Sequence, residues 1–217
     1  MKKEFLLAVL TLPGLFGGEV ELLEGLLEAG LEKLHVRKPG VGPDALEGLL
    51  QRLAPRWGSR LVLHGNMEMA VRYGIPQVHG AVGFKDGSGL SGGGPFVGVG
   101  APVAVSTSVH SWEEFRALPD GLSYAFISPL FDSISKPFYR AGAGLLHQPE
   151  GGLPCLPMGL GGIGAGTIGE MLRQGWKAGA VLGWIWDEPR EAVGRYIQLK
   201  KIIDGDRTTE GAGSGGL

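Results

Sequence analysis

Eight short apolar runs, each followed by a polar or amphipathic stretch, set the tightest limit on what this chain can fold into. They lie at residues 5–12, 33–37, 60–64, 77–79, 103–107, 124–128, 154–159 and 178–182. Short apolar runs bounded by glycine, proline or polar clusters read as strands buried on both faces. Helical patterning fills 19–29, 43–53, 67–73, 111–117, 165–174 and 188–203. Strands alternating with helices imply a parallel sheet covered by helices. Eight such units within residues 1–203 predict a single compact (β/α)8 TIM barrel, at the short end of its size range. An open doubly wound sheet is the alternative. The weakest link is 80–100, a glycine-rich stretch where a helix should separate the fourth and fifth strands, read as a degraded connection.

Local signals support the helices. Leu22, Leu23, Leu26 and Leu27 form one stripe behind an acidic first turn at Glu19. Pro43 and Asp44 open the second helix. Ser111 with Glu114 three residues on is a capping box. Gly30 and Gly175 stand where helices should stop. Residues 204–217 are polar and glycine-rich and are expected to form a flexible tail.

Composition removes several function classes. The chain of 217 residues has a formal net charge of −2, which argues against a nucleic-acid or anionic-membrane partner held by bulk charge. Its one cysteine, Cys155, excludes an internal disulfide and suggests a reducing, cytoplasmic setting. Cys155 sits in an apolar run and reads as an inert buried thiol. Met-Lys-Lys before 5–12 faintly resembles a signal peptide. The run is soon broken by Pro13-Gly14 and reads instead as a first buried strand. Glycine is the outlier, 40 of 217 residues against a usual share of about 7%. Many glycines follow apolar runs, where chains turn or backbones approach ligands.

In a barrel of this kind the active site gathers at the carboxyl ends of the strands. Arg37 lies there beside Lys38, sharing a strand face with His35. His64 ends the third run and His79 the fourth. Ser106, Ser108 and His110 follow the fifth. Ser133, Ser135 and Lys136 follow the sixth, in Ser128-Pro129-Leu130-Phe131-Asp132-Ser133-Ile134-Ser135-Lys136. Gly161-Gly162 follow the seventh, and Leu182-Gly183 the eighth. Hydroxyls with a lysine at a strand end suit a phosphate or pyrophosphate; an ordinary serine-rich turn is the plainer reading. Four histidines at strand ends raise a zinc or iron site as one reading. They lack any local ligand spacing, so satisfied structural histidines are the preferred reading for His35 and His79. Trp184 and Trp186 read as packing at the barrel mouth, with stacking on a heteroaromatic substrate the minority reading.

These residues, in this order, resemble the thiamin phosphate synthase / thiazole tautomerase (TenI-like) family of small barrels. The resemblance is carried by Leu34-His35-Val36-Arg37-Lys38, Val78-His79, Ser108-Val109-His110-Ser111, the 128–136 segment and Leu160-Gly161-Gly162-Ile163. It implies a cytoplasmic enzyme of thiamin biosynthesis, a transferase acting on small phosphorylated pyrimidine and thiazole substrates, with magnesium, and a possible homo-oligomer. In that reaction hydroxymethylpyrimidine pyrophosphate loses pyrophosphate, and the thiazole phosphate nitrogen captures the methyl cation. Arg37 and Lys136 would hold the pyrophosphate with Lys38, His64, Ser108, Ser133 and Ser135. Gly161, Gly162, Leu182 and Gly183 would cradle the thiazole phosphate with backbone amides. The tautomerase branch implies instead a proton transfer by His110, for which an imidazole suits.

The chain also departs from the family. The synthases' Asn-Asp after the third strand is His64-Gly65 here. The aspartate after the fourth-strand Val-His is missing, with Asp86 displaced and Asp132 a conceivable substitute. Magnesium prefers carboxylate oxygens, so its expected ligands are replaced. Three readings stay open: a synthase with an altered metal site, a tautomerase, or a non-catalytic phosphate-ligand binder.

Overall fold

The structure is a computed structural model that describes residues 5–80, 104–132, 142 and 144–212. Eight parallel strands close into a barrel in sequential order. They are β1 (Leu6–Leu10), β2 (Lys33–Val36), β3 (Leu61–His64), β4 (Gln77–His79), β5 (Ala104–Val109), β6 (Tyr124–Ile127), β7 (Leu156–Leu160) and β8 (Ala178–Val181). β1 pairs with β8, which excludes the open doubly wound sheet. The helices are α1 (Glu19–Glu28), α2 (Pro43–Trp57), α3 (Met67–Arg72), α4 (Trp112–Arg116), α5 (Ile168–Arg173), α6 (Gly183–Trp186) and α7 (Ala192–Ala212). The weak 80–100 connection, with Asp86, lies outside the described residues beyond Gly80. So do Ser133, Ser135 and Lys136.

Strand parity sorts the side chains into two layers. Outward residues such as Leu34, Val36, Leu61, Leu63, Val78 and Ile127 meet the leucine stripes of the helices in one continuous core. In α2 that stripe is Leu46, Leu49, Leu50 and Leu53, all buried. Each fully buried leucine of this kind contributes about 1.5–3 kcal/mol. Inward residues fill the barrel: Ala8, Leu10, Tyr124, Phe126, Met158, Ala178 and Ala180 form a second, separate cluster.

Three differences from expectation have a physical reason or a structural consequence. α5 starts at Ile168 rather than near 165 because the Thr167 hydroxyl closes the preceding loop. That hydroxyl accepts the Gly164 N–H at 3.0 Å and donates to the Gly162 carbonyl at 2.9 Å. α6, a single turn after β8, was not foreseen. α7 runs to Ala212, past Asp204, where the tail was placed. A glycine such as Gly205 weakens a helix by about 1 kcal/mol but does not stop one already nucleated.

Candidate active site

A cavity of about 390 Å3 opens at the carboxyl ends of the strands. Of the expected residues, Arg37, His64, Ser108, His110, Gly161, Gly162, Leu182 and Gly183 all line it. His79, Phe126, Ser128 and Trp184 line it too.

Each wall is positioned by local chemistry. Arg37 directly follows β2, and Thr11 holds its backbone, accepting its N–H at 2.9 Å and donating to its carbonyl at 3.1 Å. His110 sits just before the capping box of α4. Ser111 Oγ accepts the Glu114 N–H at 3.0 Å, and the Glu114 carboxylate reaches back to the His110 N–H at 2.8 Å. The His110 ring places Nδ1 2.9 Å from the Ser128 carbonyl. A carbonyl only accepts, so Nδ1 carries the proton and Nε2 keeps the free lone pair.

The glycine loop after β7 serves packing as well as access. Gly161 and Gly162 have φ of +98° and +63°, values that side chains rarely adopt. A Cβ on Gly162 would lie 2.4 Å from the Asp132 carbonyl oxygen. The close approach is therefore made by the 129–132 loop of β6, and Phe131 N–H bonds the Gly161 carbonyl at 3.2 Å. α5 begins beyond this loop, and the Gly164 N–H is engaged by Thr167. Gly164 also lets Trp184 pack closely, since a Cβ there would lie 2.7 Å from its indole. The Arg195 guanidinium lies 5.4 Å from the Trp184 ring and donates to the Trp184 carbonyl. Trp184 thus forms part of the cavity wall as well as packing at the mouth.

Lys38 is also corrected. Strand parity turns it away from Arg37, and its ammonium is buried against Glu19 at 2.5 Å, Leu12 O at 2.9 Å and Gly14 O at 2.7 Å. Its three donors are engaged, so it does not serve as a phosphate ligand. Burial pushes Glu19 up and Lys38 down, against their mutual pairing.

The cavity floor holds the largest electrostatic departure. His35, His64 and His79 converge with one nitrogen each within 4.8 Å of the others. His35 Nδ1 lies 2.9 Å from His64 Nε2, and Tyr124 Oη 2.8 Å from His35 Nε2. His79 contacts Ser106 Oγ through Nδ1 at 2.9 Å and Ser108 Oγ through Nε2 at 3.0 Å. The rings of His64 and His79 stack with centroids 4.2 Å apart. Burial lowers His64 to about 2, helped by His79 and Arg37. Burial, with Arg37, lowers His79 to about 4. Burial first, then the neighbouring histidines and Lys33, holds His35 well below the usual imidazole range. All three are neutral at physiological pH. Burial likewise pushes Tyr124 up to about 12 and the Cys155 thiol up to about 11, which agrees with an inert Cys155.

No family model matches the chain. It is 30% identical over 138 residues to thiamine-phosphate synthase of Chromobacterium violaceum, covering 64% of this chain and 65% of that relative, just under two thirds of its length. In sequence the chain is thus similar to a thiamine-phosphate synthase. Thiamine phosphate pyrophosphorylase of Bacteroides thetaiotaomicron superposes with a TM-score of 0.67 at 22% identity, over 91% of this chain and 97% of that one. The Pyrococcus furiosus pyrophosphorylase gives 0.67 at 18% identity, over 94% and 98%. These two show the fold.

The expectation of magnesium can be tested against the donors present. Among the described residues lining the cavity there is no carboxylate; the floor offers imidazoles and hydroxyls. Magnesium, which takes hard oxygen ligands in octahedral geometry, does not fit that set. Asp132 reaches the site region through its backbone carbonyl beside Gly162. Sequence reasoning missed Tyr124 and Phe126. Their signal was parity: residues two apart on β6, in register with inward residues of β5 and β7. No helix among the described residues is long and apolar enough to cross a membrane.

Proposed function

We propose that this protein couples hydroxymethylpyrimidine pyrophosphate to thiazole phosphate, with release of pyrophosphate, as a cytoplasmic enzyme of thiamin biosynthesis. The observation that carries the reading is one cavity joining Arg37 on one wall to the backbone loops at Gly161-Gly162 and Leu182-Gly183 on another. Two phosphorylated substrates need two anion-receiving walls around one reaction centre. In the proposed step the pyrimidine methylene C–O bond breaks, its electron pair leaving with pyrophosphate. The thiazole nitrogen lone pair then forms the new C–N bond. The Arg37 fork would meet the charge growing on the leaving oxygens, where preplaced cations act most strongly. Ser108, with Ser133, Ser135 and Lys136, would complete the pyrophosphate receptor.

The test is a coupling assay with both phosphorylated substrates across a series of divalent metals. The expected result is thiamin phosphate formation, with Arg37→Met lowering kcat/KM by roughly 100–1000-fold. Absence of product at every metal concentration would sink the synthase reading. Lys136→Ala leaving pyrophosphate affinity unchanged would remove that lysine from it.

A second reading, thiazole tautomerase, is favoured by the His110 geometry. Nδ1–H bonded to the Ser128 carbonyl fixes the tautomer whose Nε2 accepts a proton. Unchanged isomerisation in His110→Ala would exclude His110 as the base.

A further inference from the structure

We infer that His35, His64 and His79 form a binding site for a borderline first-row divalent cation, zinc being the reference, at the floor of the cavity. The inference stands independently of the synthase and tautomerase readings.

The argument is geometric. Three imidazoles come from three adjacent strands, β2, β3 and β4, with one nitrogen each within 4.8 Å. Register brings them there: His64 aligns with His79, and His79 with Ser106. Tetrahedral zinc with nitrogen ligands at about 2.0–2.1 Å places those nitrogens roughly 3.3 Å apart. His35 Nδ1 and His64 Nε2, at 2.9 Å, need to part slightly to admit a cation. His79 closes by a modest ring shift.

Metal-bound histidines usually have the other ring nitrogen held by an outer hydrogen-bond partner, which fixes the ring. The same arrangement is present at His35 and His79. With His35 coordinating through Nδ1, its proton moves to Nε2 and is donated to Tyr124 Oη, already 2.8 Å away. Whichever nitrogen of His79 coordinates, a serine holds the other: Ser106 on Nδ1 or Ser108 on Nε2. Phe126 packs beside His35 and His79, with centroids 4.8 and 5.0 Å away, as an apolar wall. His64 and His79 line the cavity, so a fourth position would face it, open to water or a phosphate oxygen. Three protein ligands and one open position are the arrangement of catalytic rather than structural zinc sites. Imidazole donors select zinc, iron, nickel or copper over magnesium. The donor set therefore replaces hard oxygen chemistry with nitrogen chemistry at the ends of β3 and β4.

The experiment uses the full chain stripped with a chelator, then titrated with Zn2+ by equilibrium dialysis and with Co2+ by visible absorption. One equivalent of zinc should bind, Co2+ should give the intense visible bands of a tetrahedral site, and millimolar Mg2+ should not compete. His64→Gln and His79→Gln, checked for folding by circular dichroism, should each weaken zinc by more than about 100-fold, and Tyr124→Phe by about 10–100-fold. Should a variant fail to fold, nitrogen-15 spectra of the wild-type imidazoles decide: zinc should shift three of the five histidines. No stoichiometric uptake, equal displacement by Mg2+, unchanged affinity in folded His64→Gln or shifts at His110 and His147 instead would each overturn the assignment.

Discussion

The two halves of the barrel interior are built from opposite materials. On the side of β6, β7, β8 and β1, the filling is Phe126, Met158, Ala178, Ala180, Ala8 and Leu10. On the side of β2 to β5 it is Lys33, His35, His64, Gln77, His79 and Ser106, paired through hydrogen bonds. The outer layer is apolar around both, so the helices do not distinguish them. The difference teaches that closure of the barrel needs only volume, large side chains facing alanines. A buried polar half needs every nitrogen and oxygen partnered, because an unpaired one is costly. Such a half exists where chemistry has been placed, and here it lies directly under the cavity.

If the halves differ in this way, they should fail differently. Met158 is fully buried in the apolar half. Met158→Ala should cost about 2–5 kcal/mol, measured by denaturant midpoint, by the same amount above and below the histidine titration range. A pH-dependent loss would break the division. The histidine half should respond to acid in the metal-free protein. Unfolded histidines take up protons near the ordinary 6.5, whereas His79 waits until about 4 and His64 until about 2. The unfolded state binds more protons between those limits. Stability is thus full above 6.5 and falls as pH drops toward 4 and below. His79 alone accounts for roughly 3 kcal/mol of that fall. A denaturant series across this range checks it; a flat profile would contradict the buried neutral state.

Much of this was legible in the residues. The eight runs, the Ser111–Glu114 box and the rim position of Arg37, Ser108 and His110 follow from periodicity and strand order. The convergence of the histidines did not, because it depends on strand register. That His64 stands level with His79, and His79 with Ser106, is fixed by barrel shear and not by local spacing. Lys38 was misplaced for a simpler reason. Adjacent residues on a strand face opposite ways, so a lysine beside a rim arginine points outward, here to Glu19 of α1. Gly161 and Gly162 showed as glycines that admit a close neighbour, but the neighbour is the β6 loop as well as the cavity.

The smallest expected effect is the sharpest probe of the boundary, because Tyr124 belongs to both halves. Its ring packs in the apolar cluster, while its hydroxyl meets His35 Nε2 at 2.8 Å. Tyr124→Phe keeps the ring and removes only the polar contact, leaving a buried imidazole nitrogen short of a partner. The expected cost is about 1–2 kcal/mol. A double-mutant cycle then assigns it. Combined with His64→Gln, which alters the same hydrogen-bonded chain through His35, the two losses should be non-additive by about 0.5–3 kcal/mol. Combined with Met158→Ala they should add within about 0.5 kcal/mol, since the aromatic ring that packs in the apolar half is unchanged. Coupling to Met158 with additivity toward His64 would show that the phenol serves packing, and that the histidine network ends before Tyr124.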